Sequence, residues 1–172
     1  HLTGDVDGGS LMEWKITVVH EAGSSMEAVL RWHPSAQEGT VVVVEKQLSG
    51  RGRQGRSWIS PLGGLYFSII LRPMWSLSDV SKITLLAAVA LCEAVRDAAG
   101  IPAEIKWPND LLMNGKKIAG ILTESKISGQ TVEHVVLGIG VNLNTSISDL
   151  PEGATSLKQL TGREYDVKKM LN

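Results

Sequence analysis

Apolar positions recur along the chain at two periods, and the change of period marks out the elements. Trp14 to His20 alternates like a strand. Ser24-Ser25-Met26-Glu27 follows as a capping box, with Ser at the N-cap and Glu three residues on, opening a helix that runs through about Trp32. Thr40 to Lys46 and Leu65 to Leu71 are β-branched and aromatic runs of strand length. From about Ser81 to Ala99 the spacing predicts a largely buried helix, closed by Gly100 with Pro102 just beyond.

Ile105 to Trp107, Leu111 to Met113, Ile118 to Lys126 and Thr131 to Val141 then read as strands. Asn114-Gly115 is the preferred dipeptide of a two-residue hairpin turn, and Ser128-Gly129 marks another. The back half is therefore an antiparallel meander and the whole chain α+β. Thr155 and Asp166 are expected as N-caps of two further helices, the second barely begun at Asn172, so a truncated domain is expected. Residues 1–11 are Gly and Asp rich without apolar period and read as a flexible leader or tag remnant, with Met12 a candidate start.

A length of 172 residues, 43% of them hydrophobic, suits one domain with a sizeable core. The formal net charge of -1 gives no basic bias toward nucleic acid or acidic membranes. Cys92 is the only cysteine, so no intramolecular disulfide can form, and its place in the apolar run makes it a core filler rather than a thiol nucleophile. No apolar stretch reaches spanning length. A cytoplasmic protein without membrane partner is the expectation.

Against this neutral background, Gly50-Arg51-Gly52-Arg53-Gln54-Gly55-Arg56-Ser57 and Trp58 gather three arginines among three glycines after a strand. Glycines allow close backbone approach, and guanidinium forks grip carboxylate or phosphate oxygens, so the segment reads as a cationic lid. A dinucleotide fingerprint is excluded by context, because Trp58-Ile59-Ser60-Pro61 opens no helix and no acidic residue occurs between Lys46 and Ser78. A Walker A loop fails for want of a Gly-Lys-Ser/Thr tripeptide. Nucleic-acid binding would call for a wider basic surface and aromatic platforms.

Two further clusters carry polar chemistry. Lys106-Trp107-Pro108-Asn109-Asp110 presents an amide and a carboxylate at a rigid turn, and a hairpin returns Lys117 toward them. Taken alone, Pro-Asn-Asp is also common turn chemistry. Gly138-Ile139-Gly140-Val141-Asn142 puts glycines inside a strand, which fits either a sharp bulge or close approach of a ligand.

Together these motifs, with Lys117-Ile118-Ala119-Gly120-Ile121-Leu122, resemble the ordered signature of the catalytic domain of biotin protein ligases, over about Trp14 to Leu160. The resemblance implies a biotin/lipoate ligase-like, class II synthetase-like fold over residues 12–172: a mixed, mainly antiparallel sheet with helices packed on one face, ahead of a C-terminal β-barrel. It implies a ligase that activates biotin with MgATP to biotinyl-5'-AMP and passes it to a lysine of a biotin carboxyl carrier protein. ATP and Mg²⁺ are then co-substrates, with no bound prosthetic group.

By the same resemblance, Ser24, Ser25 and Gln47 hold the biotin ureido ring, and Gly50, Arg51, Gly52 and Arg53 form the ligand-ordered loop. Gly120, Leu122 and Gly138 lie beside the biotin tail. Arg56, Trp58, Asn109, Asp110 and Asn142 attend the nucleotide, with Asp110 the magnesium contact. Lys117, Arg53 and Asp110 are the catalytic set, Lys117 standing against the biotin carboxylate and α-phosphate and Asp110 a candidate base. Met26 departs from the family's usual Asn after the two hydroxyls. No helix-turn-helix is visible, so no DNA partner is expected, while a homodimer through an open sheet edge is. Other readings are a biotin-adenylate binding module with weak turnover and a lipoate-type acyl ligase.

Overall fold

The computed structural model of the protein describes residues 13–32 and 35–171. The leader expected at residues 1–11 and the candidate start Met12 lie outside the described residues. The elements run β1 (Lys15–Ala22), α1 (Ser25–Trp32), β2 (Thr40–Gln47), β3 (Leu65–Leu71), α2 (Leu77–Val80) and α3 (Lys82–Ala99). β4 (Glu104–Lys106), β5 (Asp110–Met113), β6 (Lys116–Ser128), β7 (Thr131–Val141) and α4 (Leu157–Thr161) follow.

All seven strands form one sheet in the order β1-β2-β3-β7-β6-β5-β4. Only β1 and β2 pair in parallel, through the crossover helix α1, and every other pairing is antiparallel. The expected α+β class, the mixed sheet and the meander of the back half are thus borne out. The Asn114-Gly115 hairpin is present as well: Met113 pairs with Lys116, and the two turn residues hold φ of 50° and 72°.

The expectation of helices on one face is corrected. Met26, Ala28 and Val29 of α1 pack with Val42, Val44, Ile70 and Val136 on one face. Ile83, Ala88 and Val95 of α3 pack with Val41, Val43, Leu137 and Ile139 on the other, joined by Leu157 of α4. The reason lies in β2, where four consecutive valines, all buried, need apolar cover on both faces. Each contributes on the order of 1.5–3 kcal/mol of burial, which neither face could supply if left to water.

Boundaries shift by small amounts where local chemistry decides them. Ser156, not Thr155, caps α4, its Oγ accepting the Gln159 N–H at 3.3 Å. Asp166 Oδ1 accepts from the N–H groups of Lys168 and Lys169, opening a 3-10 turn at Lys169–Leu171. Gly100 ends α3 at φ 70°, its N–H donated to the Arg96 carbonyl, as its position predicts.

Candidate active site

The floor of the site is a pair of glycine registers shared by β6 and β7. Gly120 lies opposite Gly140, and Leu122 opposite Gly138. The Trp58 ring rests on the first pair: a Cβ added to Gly140 would stand 2.5 Å from Trp58 Nε1, and one on Gly120 2.9 Å from Cζ3. A Cβ at Gly138 would meet Met26 Sδ at 2.8 Å. The β6–β7 register runs unbroken through these residues, so close approach, rather than a bulge, accounts for the strand glycines.

One end of the site is built at the start of α1. Ser24 Oγ accepts the Glu27 N–H at 3.1 Å, which is the capping bond read from the sequence. The Ser25 N–H donates to Gln47 Oε1 at 2.8 Å, and its hydroxyl pairs with that of buried Ser68 at 2.8 Å. Gln47 Nε2 in turn donates to Ser60 Oγ at 2.7 Å, and Ser60 to the Trp58 carbonyl at 3.1 Å. Both ends of the Gln47 amide are therefore engaged, which fixes its orientation. Uncharged hydroxyls and amides of this kind match a small neutral polar group such as a urea.

The opposite end is cationic. Lys117 Nζ stands 2.8 Å from Asp110 Oδ1 and 4.9 Å from the centroid of the Trp58 ring. The hairpin brings the two together although a bulge shifts the β5–β6 register between them. Above lies the lid, closed on itself by an Arg51–Ser57 bridge and by a Gly52 N–H to Arg56 carbonyl bond of 2.7 Å. Its tip turns through left-handed Gln54 and Gly55, at φ 56° and 72°. Arg53 Nη1 donates to Asn109 Oδ1 at 3.3 Å, and Arg51 forms an ion pair with Glu124 at 3.0 Å.

Of the residues anticipated, Ser24, Ser25, Gln47, Arg51, Gly52, Arg53, Arg56, Trp58, Asn109, Asp110, Lys117, Gly120, Leu122 and Gly138 line one cavity. Two do not. Gly50 sits behind the wall, where a Cβ would lie 2.3 Å from the Trp58 carbonyl, so it shapes the lid's root. Asn142 is buried at 2% exposure, its amide nitrogen donating to the Thr155 carbonyl at 3.1 Å while Oδ1 has no partner. Met26, Gln54, Ser57, Ile121, Ile139 and Gly140 also line the cavity. Gly140 carried a signal in the sequence, its place in the same Gly-x-Gly strand as Gly138, whereas the isoleucines read only as core.

No group of three or more His, Cys, Asp or Glu side chains stands ready for a metal among the described residues. Asp110 Oδ1, paired with Lys117, and Asn109 Oδ1, accepting from Arg53, are oxygen donors of the kind Mg²⁺ takes, each held by a cation here. No helix of the described residues is long and apolar enough to cross a membrane.

The chain matches the Biotin/lipoate A/B protein ligase family over residues 24–142. It is 48% identical over 137 residues to the bifunctional ligase/repressor BirA of Bacillus subtilis (strain 168), covering 77% of this chain and 42% of that protein. It is 38% identical over 156 residues to the biotin--[acetyl-CoA-carboxylase] ligase of Paracoccus denitrificans, covering 87% of this chain and 65% of that one. Among solved structures, the biotin protein ligase from Aquifex aeolicus in complex with biotin and ATP is similar at TM-score 0.76 and 34% identity, over 91% of this chain and 65% of that chain. The chain thus spans under half of the Bacillus relative and about two thirds of the other two.

Proposed function

Since the chain belongs to the biotin/lipoate A/B protein ligase family, we propose that it activates biotin with ATP and transfers the biotinyl group to a protein lysine. One observation carries the reading: a neutral hydrogen-bonding end at Ser24, Ser25 and Gln47 faces a cationic end at Lys117, Arg53 and Arg56 in one cavity. That polarity matches a ligand with a urea at one end and a reacting carboxylate at the other. The relatives named as biotin ligases, and the similar Aquifex protein bound to biotin and ATP, support biotin over lipoate.

In the first step a carboxylate oxygen attacks the α-phosphorus and pyrophosphate leaves, so two anions must be held together. Fixed positive charge at the crowded oxygens lowers that barrier, and Lys117 and Arg53 supply it. Asp110 holds the same ammonium at 2.8 Å and so competes with both anions for its charge. Asp110 is also the carboxylate that would hold Mg²⁺ beside Asn109; the ion would screen the phosphate oxygens. The folded lid shields the acyl phosphate from water.

In the second step the acceptor amine attacks the acyl carbon, AMP leaves, and the amine proton must go to a base. Asp110 is the carboxylate we assign to that proton, and a biotin carboxyl carrier domain the acceptor we assign to the amine. The expectation of no DNA partner finds no support, since relatives matched over part of their length are named ligase/repressors. The decisive experiment is a native mass spectrum after incubation with biotin and MgATP. Retained biotinyl-adenylate supports the reading, while absence of both adenylate and pyrophosphate rejects it.

A further inference from the structure

The three lid arginines do not share one task. Arg53 reaches inward, bonded to Asn109, whose own amide nitrogen donates to the Ile121 carbonyl at 2.9 Å. Arg51 is gripped from β6 instead: Nη1 stands 3.0 Å from Glu124 Oε1 and Nη2 donates to Oε2 at 3.2 Å. This is a two-pronged pairing of guanidinium and carboxylate, the geometry in which an ion pair adds direction to charge. Its partner residue lies 73 positions away on β6, well outside the lid.

The consequence is mechanical and electrostatic. Glu124 neutralises Arg51, so of the three arginines at the cavity Arg53 and Arg56 carry the charge left for incoming anions. It also fastens the first arm of the lid hairpin, Arg51 being bridged to Ser57 across the loop. Both side chains are about half exposed, at 46% and 43%, so the tether is strong enough to bias the lid yet weak enough to break each turnover.

We propose that Glu124 is a positioning residue, a latch that holds Arg51 and so sets how fast the closed lid lets the acyl-adenylate escape. The retention of adenylate rests on the ligase reading above; the latch itself does not. Glu124→Ala and Glu124→Gln should leave pyrophosphate release within about twofold of the parent and raise adenylate escape into solution about 2- to 5-fold, as expected of a half-exposed ion pair. The exchange Arg51→Glu with Glu124→Arg should restore retention.

A second arm needs no ligand. Trypsin should cut after Arg53 and Arg56 faster in ligand-free Glu124→Ala than in the parent, and raised salt should narrow the difference by speeding the parent. Equal cleavage in the two proteins overturns the latch, whether or not the ligase reading stands. Faster cleavage with unchanged adenylate escape overturns the assignment to retention, and failure of the exchanged pair to restore either overturns the pairing as its cause.

Discussion

Lys117 is held on two sides, by the Asp110 carboxylate 2.8 Å away and by the Trp58 ring whose centroid lies 4.9 Å away. Held between a carboxylate and an aromatic face, the ammonium keeps donors free and is aimed, so an incoming anion meets it beside Asp110 and competes with that carboxylate for its charge.

Lys117→Ala should therefore reduce adenylate formation by at least about a hundredfold, roughly the 3 kcal/mol lost with one charge-stabilising contact. Biotin should still bind, more weakly, because the Ser25 and Gln47 end proposed for its ring is untouched. Pyrophosphate release measured beside biotin titration decides it; near-parental release from a folded variant removes Lys117 from the chemistry.

Gly140→Ala places a methyl where Trp58 Nε1 lies, 2.5 Å from the added carbon. β7 is fixed by neighbours on both sides, so the indole must lift and the lid's root must lift with it. The expected outcome is a shift in tryptophan emission, faster lid proteolysis and about tenfold weaker nucleotide binding, from an added methyl that forces overpacking. An unchanged emission spectrum with unchanged nucleotide affinity would show that the shelf does not position the ring.

The sequence exposes the site better than it exposes the sheet's cover. Motifs of close spacing, such as the Ser24 cap, the Asn114-Gly115 turn and the Gly138–Gly140 shelf, depend on interactions a few residues apart and can be read directly. Glu124 cannot, because its partner Arg51 is distant in sequence and a lone Glu on a strand carries no local mark. Asn142 shows the opposite case: its motif is recognisable, but its burial against the Thr155 carbonyl depends on the segment leading into α4. The unbroken run Val41 to Val44 leaves β2 no water-facing side, but which helix covers which face depends on contacts distant in sequence.

Ser24→Ala removes the acceptor of the Glu27 N–H at the start of α1. A lost cap costs about 1 kcal/mol of helix stability. Urea unfolding should show a lower midpoint with unchanged slope. Biotin affinity should fall in parallel, since the same hydroxyl lines the cavity; a variant with parental stability would mean the first turn of α1 is held from elsewhere.

Tyr66 supplies a prediction in pH. Its hydroxyl donates to the Pro61 carbonyl at 2.9 Å within the core, and burial pushes its pKa up from 10.0 to about 12. A raised pKa means the folded chain holds the phenolic proton more tightly than the unfolded chain does. The associated stability is thus fully present below pH 10.0 and is lost as pH climbs toward about 12. At about 1.4 kcal/mol per unit the loss is on the order of 3 kcal/mol, enough to shift an unfolding midpoint visibly. Tyr66→Phe should lose about 1 kcal/mol at neutral pH with the hydrogen bond to Pro61, yet lack this alkaline decline. Denaturant unfolding of both proteins across that window, with phenolate absorbance read on the parent, separates Tyr66 from the lysines that titrate alongside; parallel stability curves would show that the phenol is not the group responsible.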